Sequence, residues 1–226
     1  GWLMLFAETN QEAYDNYLQA MRIGEDPRVR LPIMICQDGF ITSHAVENIL
    51  LEEDGAVKAF VGEYRPEHYL LKHDNPLAVG AYDTCPFYME HKVQQAQAMV
   101  NARRAILEVA ADFQRTFGRS YGFLEEYRME DAQTALVLIG STAGTAKACV
   151  DQLRAQGRRV GLIKVRVFRP FPAQELAAAL SRVEAAAVLD KSEGFSGCGG
   201  PLFADTRSAC YDLPNRPALI NVVYGL

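Results

Sequence analysis

The chain of 226 residues contains five cysteines, four histidines and one tryptophan, and the metal-binding types among them are scattered. Cys36, Cys85, Cys149, Cys198 and Cys210 form no C-x-x-C pair, which excludes the ligand spacing of a zinc site or an iron–sulfur cluster. An odd, dispersed set of thiols suits a reducing cytoplasm better than a disulfide framework. His68 and His73 stand five apart and share no helical face, so no metal is expected on this chain. No apolar run approaches the roughly 18–20 residues that cross a bilayer. The run Trp2 to Ala7 is shorter than the apolar core of a signal peptide. Charge is not lopsided either. A net charge of −5 leaves no basic footprint for nucleic acid, and the arginine pairs at 103–104 and 158–159 read as local solvated faces.

What is present is an ordinary globular balance, 49% apolar and 23% charged, in a chain long enough for one large or two small domains. Residues 1–51 read as strand, helix, strand, helix. Leu3 to Phe6 is apolar and short. Thr9 and Glu12 have the spacing of a capping box, and Ala13, Tyr14, Tyr17, Leu18 and Met21 then fall on one helical face until Gly24 and Pro27. With Gly1 opening directly on an apolar run, the chain is expected to begin in the middle of a domain. A second strand, roughly Val29 to Cys36, has little alternation and is expected to be buried on both faces.

Residues 52–82 carry Gly55, Gly62, Pro66, Pro76 and Gly80 among interleaved Tyr, His and charged residues. A stretch this long without a period is expected to be irregular and to wrap a partner or border a site. A helix of about 45 Å is expected over Tyr88 to Phe117, with Met89, Val93, Ala96, Val100, Leu107, Ala110, Phe113 and Phe117 at its period and Gly118 as its stop. It reads as a connector. Strands at Thr134–Ile139, Val160–Val167, Ala185–Leu189 and Leu219–Val223 then alternate with helices at Thr142–Gln156, Ala173–Arg182 and Leu202–Tyr211. That alternation implies a mostly parallel sheet with helices on its faces.

Chemistry is concentrated where strands stop. The run Ile33 to Cys36 ends at Gln37, Asp38, Gly39, Ser43 and His44, and in open α/β sheets ligands sit at the carboxyl ends of strands. Asp38 can be a site carboxylate or a turn residue, and Thr42 or Ser43 a helix cap. Gly140 to Thr145 lies between a strand and a helix but matches neither phosphate-binding pattern, so a tight turn with Ser141 or Thr142 as cap is its better reading. Gly194 to Pro201, with four glycines, can admit a ligand, a partner's backbone, or simply cross over. Cys36, inside an apolar run, reads as a structural thiol rather than a nucleophile served by His44.

Taken in order, NQEAYDN (10–16), LPIMICQDGFITSHAVE (31–47), GSTAGTAK (140–147), VGLIKVRVFRPFP (160–172), AVLDKSEG (187–194), GGPL (199–202) and the terminal VVYGL resemble the alpha subunit of the pyruvate:ferredoxin oxidoreductase family, or the equivalent region of single-chain members. The resemblance covers nearly the whole chain. It implies an α/β fold with two mostly parallel open sheets flanked by helices. Residues 1–85 would be the C-terminal half of a domain that holds the pyrimidine of thiamine diphosphate, 86–118 a connecting helix, and 119–226 a domain similar to the C-terminal domain of transketolase. In that family a 2-oxo acid is oxidatively decarboxylated on thiamine diphosphate, the acyl group usually passing to coenzyme A and electrons to ferredoxin. The resemblance implies beta and gamma components as partners, with magnesium and the iron–sulfur clusters held there. The family's aminopyrimidine carboxylate falls in a stretch with no counterpart in this chain, which alone is expected to be inactive. Asp38, Gly39, Phe40, Ser43 and His44 are the wall this chain is expected to lend to the site. The rival expectations are a non-catalytic assembly module, and a small domain binding a nucleotide or coenzyme A through the two glycine-rich loops.

Overall fold

A computed structural model of the chain describes residues 1–80, 82–195 and 197–225. Ala81, Ser196 and Leu226, from the 52–82 stretch, the second glycine-rich loop and the terminal motif, lie outside the described residues. Strand β1 (Leu3–Phe6) leads into helix α1 (Asn10–Glu25), and β2 (Ile33–Cys36) returns parallel to β1 in the register Leu3 to Ile33. Thr9 Oγ1 accepts the Glu12 amide at 3.1 Å, as the capping spacing predicts. Glu12 instead reaches back to the Glu8 amide at 2.6 Å, one residue beyond the reciprocal partner, since its carboxylate also lies 3.3 Å from Lys164.

The α1 face differs from the expected one. Ala13, Leu18 and Ile23 are buried, but so are Glu12, Asp15, Asn16 and Gln19, whereas Tyr17 and Met21 are exposed. A polar stripe at helical spacing faces inward because cations wait there. Strand β2 also differs. Among the described residues it pairs with β1 alone and is half-exposed, Met34 most of all, because no strand of this chain covers its outer edge.

After a single turn, α2 (Ile41–His44), the stretch expected to be irregular contains α3 (Asp54–Val61). Its Phe60 is buried and meets Phe113 and Phe117 edge-on at 5.4 Å, and Val57 and Val61 pack on the same core, so contacts distant in sequence order a segment whose glycines and prolines obscure its period. Helix α4 (Tyr88–Phe117) has the expected length, and Gly118 ends it at φ 79°. Only its second half is a core element: Ala102, Ala105, Ile106, Val109 and Phe113 are buried in one cluster with residues of β1 and α1, and Ala110 is buried beside them in the helix. Met89, Val93, Val100 and Leu107, expected on the buried face, are exposed.

The second sheet has five strands in the order β3 (Leu124–Tyr127), β5 (Val160–Val165), β4 (Thr134–Leu138), β7 (Ala185–Asp190), β8 (Ala218–Val223). All neighbours are parallel except β3 and β5. Helix α5 (Thr142–Ala155) covers one face through Ala143, Ala146 and Val150. Helices α6 (Ala173–Leu180) and α7 (Pro201–Cys210) cover the other through Leu176, Leu180 and Leu202. One strand does not stay in its sheet. Past a bend at Arg166 the β5 chain continues as β6 (Val167–Arg169), which pairs antiparallel with β1 and completes the three-stranded first sheet. The two sheets are therefore stitched by a nearly continuous run from Val160 to Arg169.

Truncating the shared aromatic contact tests this packing. Phe113→Ala is expected to lower unfolding free energy by about 3–5 kcal/mol. Met89→Ala is expected to change it by no more than about 0.5 kcal/mol. Denaturant titration of the two variants separates the buried from the exposed half of α4.

Candidate functional site

The residues that carry the sequence signals gather in two places. At the first, the crossing run places Lys164 and Arg166 inside the protein, 5% and 2% exposed. Lys164 Nζ bonds Glu8 and Glu125 at 2.7 Å each and lies 3.3 Å from Glu12. Burial alone would pull the Lys164 ammonium down, but Glu12, Glu125 and Glu8 outweigh it and hold it above the usual lysine range. Lys147 joins through Glu8 at 2.9 Å and Glu125 at 2.8 Å. Burial pushes the Glu125 carboxyl up, and the bonds from both lysines overcome that, leaving it below the ordinary value.

Arg166 has no carboxylate in contact. Its guanidinium bonds Asn16 Oδ1 at 2.8 Å, the Gly122 carbonyl at 3.1 Å and Gln19 Oε1 at 3.2 Å, and it stacks 4.9 Å above the Tyr121 ring. Burial pulls it down to about 10, opposed by Glu12, Tyr121 and Asp15, so it stays cationic at neutral pH. Beside it Asp15 accepts from Arg119 at 2.6 and 2.8 Å and from the Tyr121 hydroxyl at 2.5 Å. A cleft of about 500 Å³ opens over this cluster. Every charge in it is already partnered within the protein, so the arrangement is a joint. The motif NQEAYDN meets VGLIKVRVFRPFP here.

The second gathering is at the carboxyl ends of β2, β4, β7 and β8, where LPIMICQDGFITSHAVE meets GSTAGTAK, AVLDKSEG and the terminal motif. Asp38, two residues past β2, turns toward the second sheet. Its Oδ2 accepts the Ser141 amide at 2.6 Å and the Ser141 hydroxyl, and its Oδ1 meets Lys191 Nζ at 3.0 Å. Burial raises the Asp38 carboxyl, while the Ser141 bonds and Lys191 outweigh it and hold it below the ordinary value. Gly140, at φ 73°, leaves room for the carboxylate: a Cβ there would stand 2.8 Å from Asp38 Oδ2. Next to this contact the Thr142 hydroxyl bonds the Tyr224 hydroxyl at 2.6 Å, and Lys191 lies 5.8 Å above the Tyr224 ring.

The other expected wall residues stand outward. Phe40 is 71% exposed and has φ 71°, a conformation rare for a residue with a side chain. Its ring stacks on His44 at 5.3 Å. Ser43 Oγ accepts the Phe40 amide at 2.8 Å and pairs with His44 Nδ1 at 2.7 Å. Thr42 is buried and donates to the Asp38 carbonyl at 3.1 Å. Gly39 has open space on its side-chain side. The expected set thus divides: Asp38 faces the second sheet, while Phe40, Ser43 and His44 present an aromatic and hydroxyl–imidazole surface. Ser141, read from sequence as a helix cap, spends its hydroxyl on Asp38 instead.

Each glycine-rich loop has one of the protein's own carboxylates at the start of the helix that follows it. The carboxylate position at the start of α5 is filled by Asp38. At the start of α7, buried Asp190 accepts the Leu202 and Phe203 amides at 2.8 and 3.1 Å and the Asn221 amide at 2.9 Å. Gly200 is glycine because a Cβ would lie 2.2 Å from the Asp190 carboxyl carbon. Those contacts place the protein's own carboxylates at the starts of α5 and α7. Burial raises the Cys36 thiol above its ordinary value, which opposes thiolate formation. Among the described residues no group of three His, Cys, Asp or Glu is placed to hold a metal, and no helix is long and apolar enough to cross a membrane.

Sequence reasoning named Ser141 only as a cap and Lys191 and Tyr224 only within motifs, because their partners are distant in the chain and carry no spacing signal. It also passed over Lys164 and Arg166, although two cations in an otherwise apolar strand, and the stripe Glu8, Glu12, Asp15, Asn16, Gln19, were signals available to it.

These features define an open α/β protein of two sheets, with an aromatic and imidazole-bearing loop held where they meet. Comparison with known proteins specifies the family. The model described as Pyruvate flavodoxin/ferredoxin oxidoreductase, thiamine diP-bdg matches residues 1–111, and that described as Pyruvate:ferredoxin oxidoreductase core domain II matches 132–226. Pyruvate synthase subunit PorA of Thermotoga maritima is 46% identical over the whole chain, which covers 57% of that protein. Ketoisovalerate oxidoreductase subunit VorA of Pyrococcus abyssi is 37% identical, again over the whole chain and 57% of the relative. A solved 2-oxoglutarate:ferredoxin oxidoreductase from Magnetococcus marinus, with 2-oxoglutarate, coenzyme A and succinyl-CoA bound, superposes with a TM-score of 0.61 over the whole chain and 40% of its own, at 14% identity; that likeness concerns the fold. The chain belongs to the pyruvate:ferredoxin oxidoreductase family, and it spans just over half the length of the curated relatives it matches.

Two outcomes follow from these charged contacts. Lys164→Met leaves Glu12 and Glu8 without their shared cation, and is expected to cost about 3 kcal/mol of unfolding free energy, partly recovered by adding Glu12→Gln. Glu125 and Asp38 both titrate below their ordinary values of 4.5 and 3.8. Their stabilisation is therefore present above those values and lost as pH falls through the lower folded ones. Acid unfolding of the parent protein is expected to steepen below pH 4.5, and Glu125→Gln to flatten that slope.

Proposed function

We propose that this chain is part of the alpha component of a thiamine-diphosphate-dependent 2-oxoacid:ferredoxin-type oxidoreductase, carrying out oxidative decarboxylation of a 2-oxo acid to an acyl-coenzyme A and carbon dioxide. The observation that carries the reading is the match of two family domains in order, in contact through Asp38 at the foot of the loop bearing Phe40 and His44. Residues 1–85 would form the later half of the pyrimidine-binding domain, 86–118 the connecting helix and 119–226 the transketolase-like domain. The open edge of β2, with Met34 exposed beside it, supports a sheet that continues in the part of the relatives this chain does not span.

Thiamine diphosphate, when bound, supplies the nucleophilic carbon and takes up the electron pair left by carbon dioxide. This chain's residues fit one wall of such a site and not the whole of it. Phe40 and His44 offer a stacked aromatic rim that suits a planar ring or an apolar oxo-acid side chain. Ser43, bonded to His44 Nδ1, orients the imidazole and leaves its other nitrogen to hold or move a proton at the reacting group. No carboxylate of the loop remains for an aminopyrimidine, because Asp38 is taken by Ser141 and Lys191. That group, magnesium and the iron–sulfur clusters are assigned to the rest of the assembly, with beta and gamma components, ferredoxin or a similar acceptor, and a cytoplasmic setting. The described residues of 62–87 expose Tyr64, Tyr69, Leu70, Leu71, Leu77 and Val79, a surface suited to lie against such a component.

The test is viologen reduction by the complete assembly, purified without oxygen, with pyruvate, branched and aryl 2-oxo acids. Turnover that requires thiamine diphosphate is the expected result, and its absence with every acid would remove the proposal. His44→Ala is expected to lower turnover at least tenfold with the assembly intact. Unchanged turnover would make the chain an assembly module.

A further inference from the structure

The loop that bears Phe40, Ser43 and His44 does not hold itself in place. Its internal bonds, Phe40 amide to Ser43 and Thr42 hydroxyl to the Asp38 carbonyl, close one short turn and leave both aromatic rings exposed. Phe40 sits at a positive φ that few side-chain-bearing residues adopt, so something outside the turn must fix it. Downstream, the chain is tied to the start of α1: the Asn10 amide donates to Glu47 at 2.9 Å, and the Leu50 amide to Gln11 at 2.6 Å. Upstream, the tie is the Asp38 carboxylate. It is gripped by three donors from two separate loops of the second sheet, Ser141 beyond β4 and Lys191 beyond β7. Gly140 has the one backbone that lets the carboxylate approach so closely.

We propose that Asp38 is a positioning residue, a clasp by which Ser141 and Lys191 of the second sheet set the place of Phe40, Ser43 and His44. The inference rests on the reading of that loop as the wall of the reaction site. It changes the part Asp38 plays: its carboxylate acts through the loop and touches neither cofactor nor substrate. It also gives the second domain a share in the chemistry. A shift of β4 or β7 relative to the first sheet moves His44 by way of one carboxylate, and displacements near 1 Å in such groups cost about a hundredfold in rate.

The test uses the complete assembly with Asp38→Ala, Lys191→Met, the two combined, and Lys191→Arg as the conservative variant. Hydrogen exchange of residues 39–44 is read beside steady-state kinetics. In Asp38→Ala and Lys191→Met those amides are expected to exchange at least about tenfold faster, with β1 and β4 as protected as in the parent. The kcat/KM for the 2-oxo acid is expected to fall about ten- to a hundredfold in step. Lys191→Arg is expected to restore both. The double variant is expected to lose no more than Asp38→Ala, since both changes break one contact. Unchanged exchange in the two single variants would overturn the proposal, because the loop would then be held without the clasp. So would a large loss of turnover in Asp38→Ala with normal exchange and a normal Lys191→Met, which would place Asp38 on the reactants themselves. Faster exchange with full turnover would overturn it as well. Absence of thiamine-dependent turnover in the parent assembly would remove the functional reading alone, since exchange still reports whether Asp38 holds the loop.

Discussion

Two buried cations on one crossing strand govern the rest of the molecule. Taking a lysine and an arginine out of water costs several kcal/mol each unless opposite charge and hydrogen bonds replace the solvent. Lys164 obtains three carboxylates; Arg166 obtains an amide oxygen from Asn16, another from Gln19, a carbonyl and a ring face. Nearly all of these come from the start of α1 or from the stretch that follows α4. The need to neutralise Lys164 and Arg166 therefore fixes how α1 lies, where the chain turns after Gly118, and how the first sheet meets the second. Apolar packing could not do this alone, since it is indifferent to register along the crossing strand, whereas misplaced charges are strongly penalised.

Where β2 ends beside β1 on the same boundary, the polarity of the arrangement is reversed. There a single anion, Asp38, is received by donors of the second sheet. Between the cation joint and this anion clasp the two sheets have two fixed points, and the loop of Phe40 and His44 hangs from the second. The glycine-rich loops, which invite a phosphate reading, turn out to be shaped around the protein's own carboxylates, Asp38 and Asp190. Gly140 and Gly200 there serve the close approach of those carboxylates.

Much of the architecture was legible in the residues. Helix α4 and the strand–helix alternation after Thr134 emerged from periodicity and stop signals because each buries a local stripe, which is what a pattern along the chain records. The resemblance in seven short stretches pointed to the right family. The misreadings share a cause. Tyr17, Met21, Met89 and Val93 were placed inward because apolar residues are expected to be buried, yet among the described residues they stay exposed. Short elements such as α3 and β6 were missed because Phe60 and Val167 are ordered by partners far along the chain, and neither segment is long enough to announce itself. Of the candidate wall, the residues share one loop, but their division into a clasp and an exposed rim depends on side-chain direction.

The sequence by itself determined the class of fold, the order of its elements and the family, because those follow from local periodicity and from motifs whose order is written along the chain. Only the tertiary structure decided which motifs meet. Asp38 and Ser141 are separated by 103 residues, and Glu8 and Lys164 by 156. No spacing rule links such pairs. Their pairing is set by the electrostatic cost of leaving any of them unpartnered once the sheets have closed.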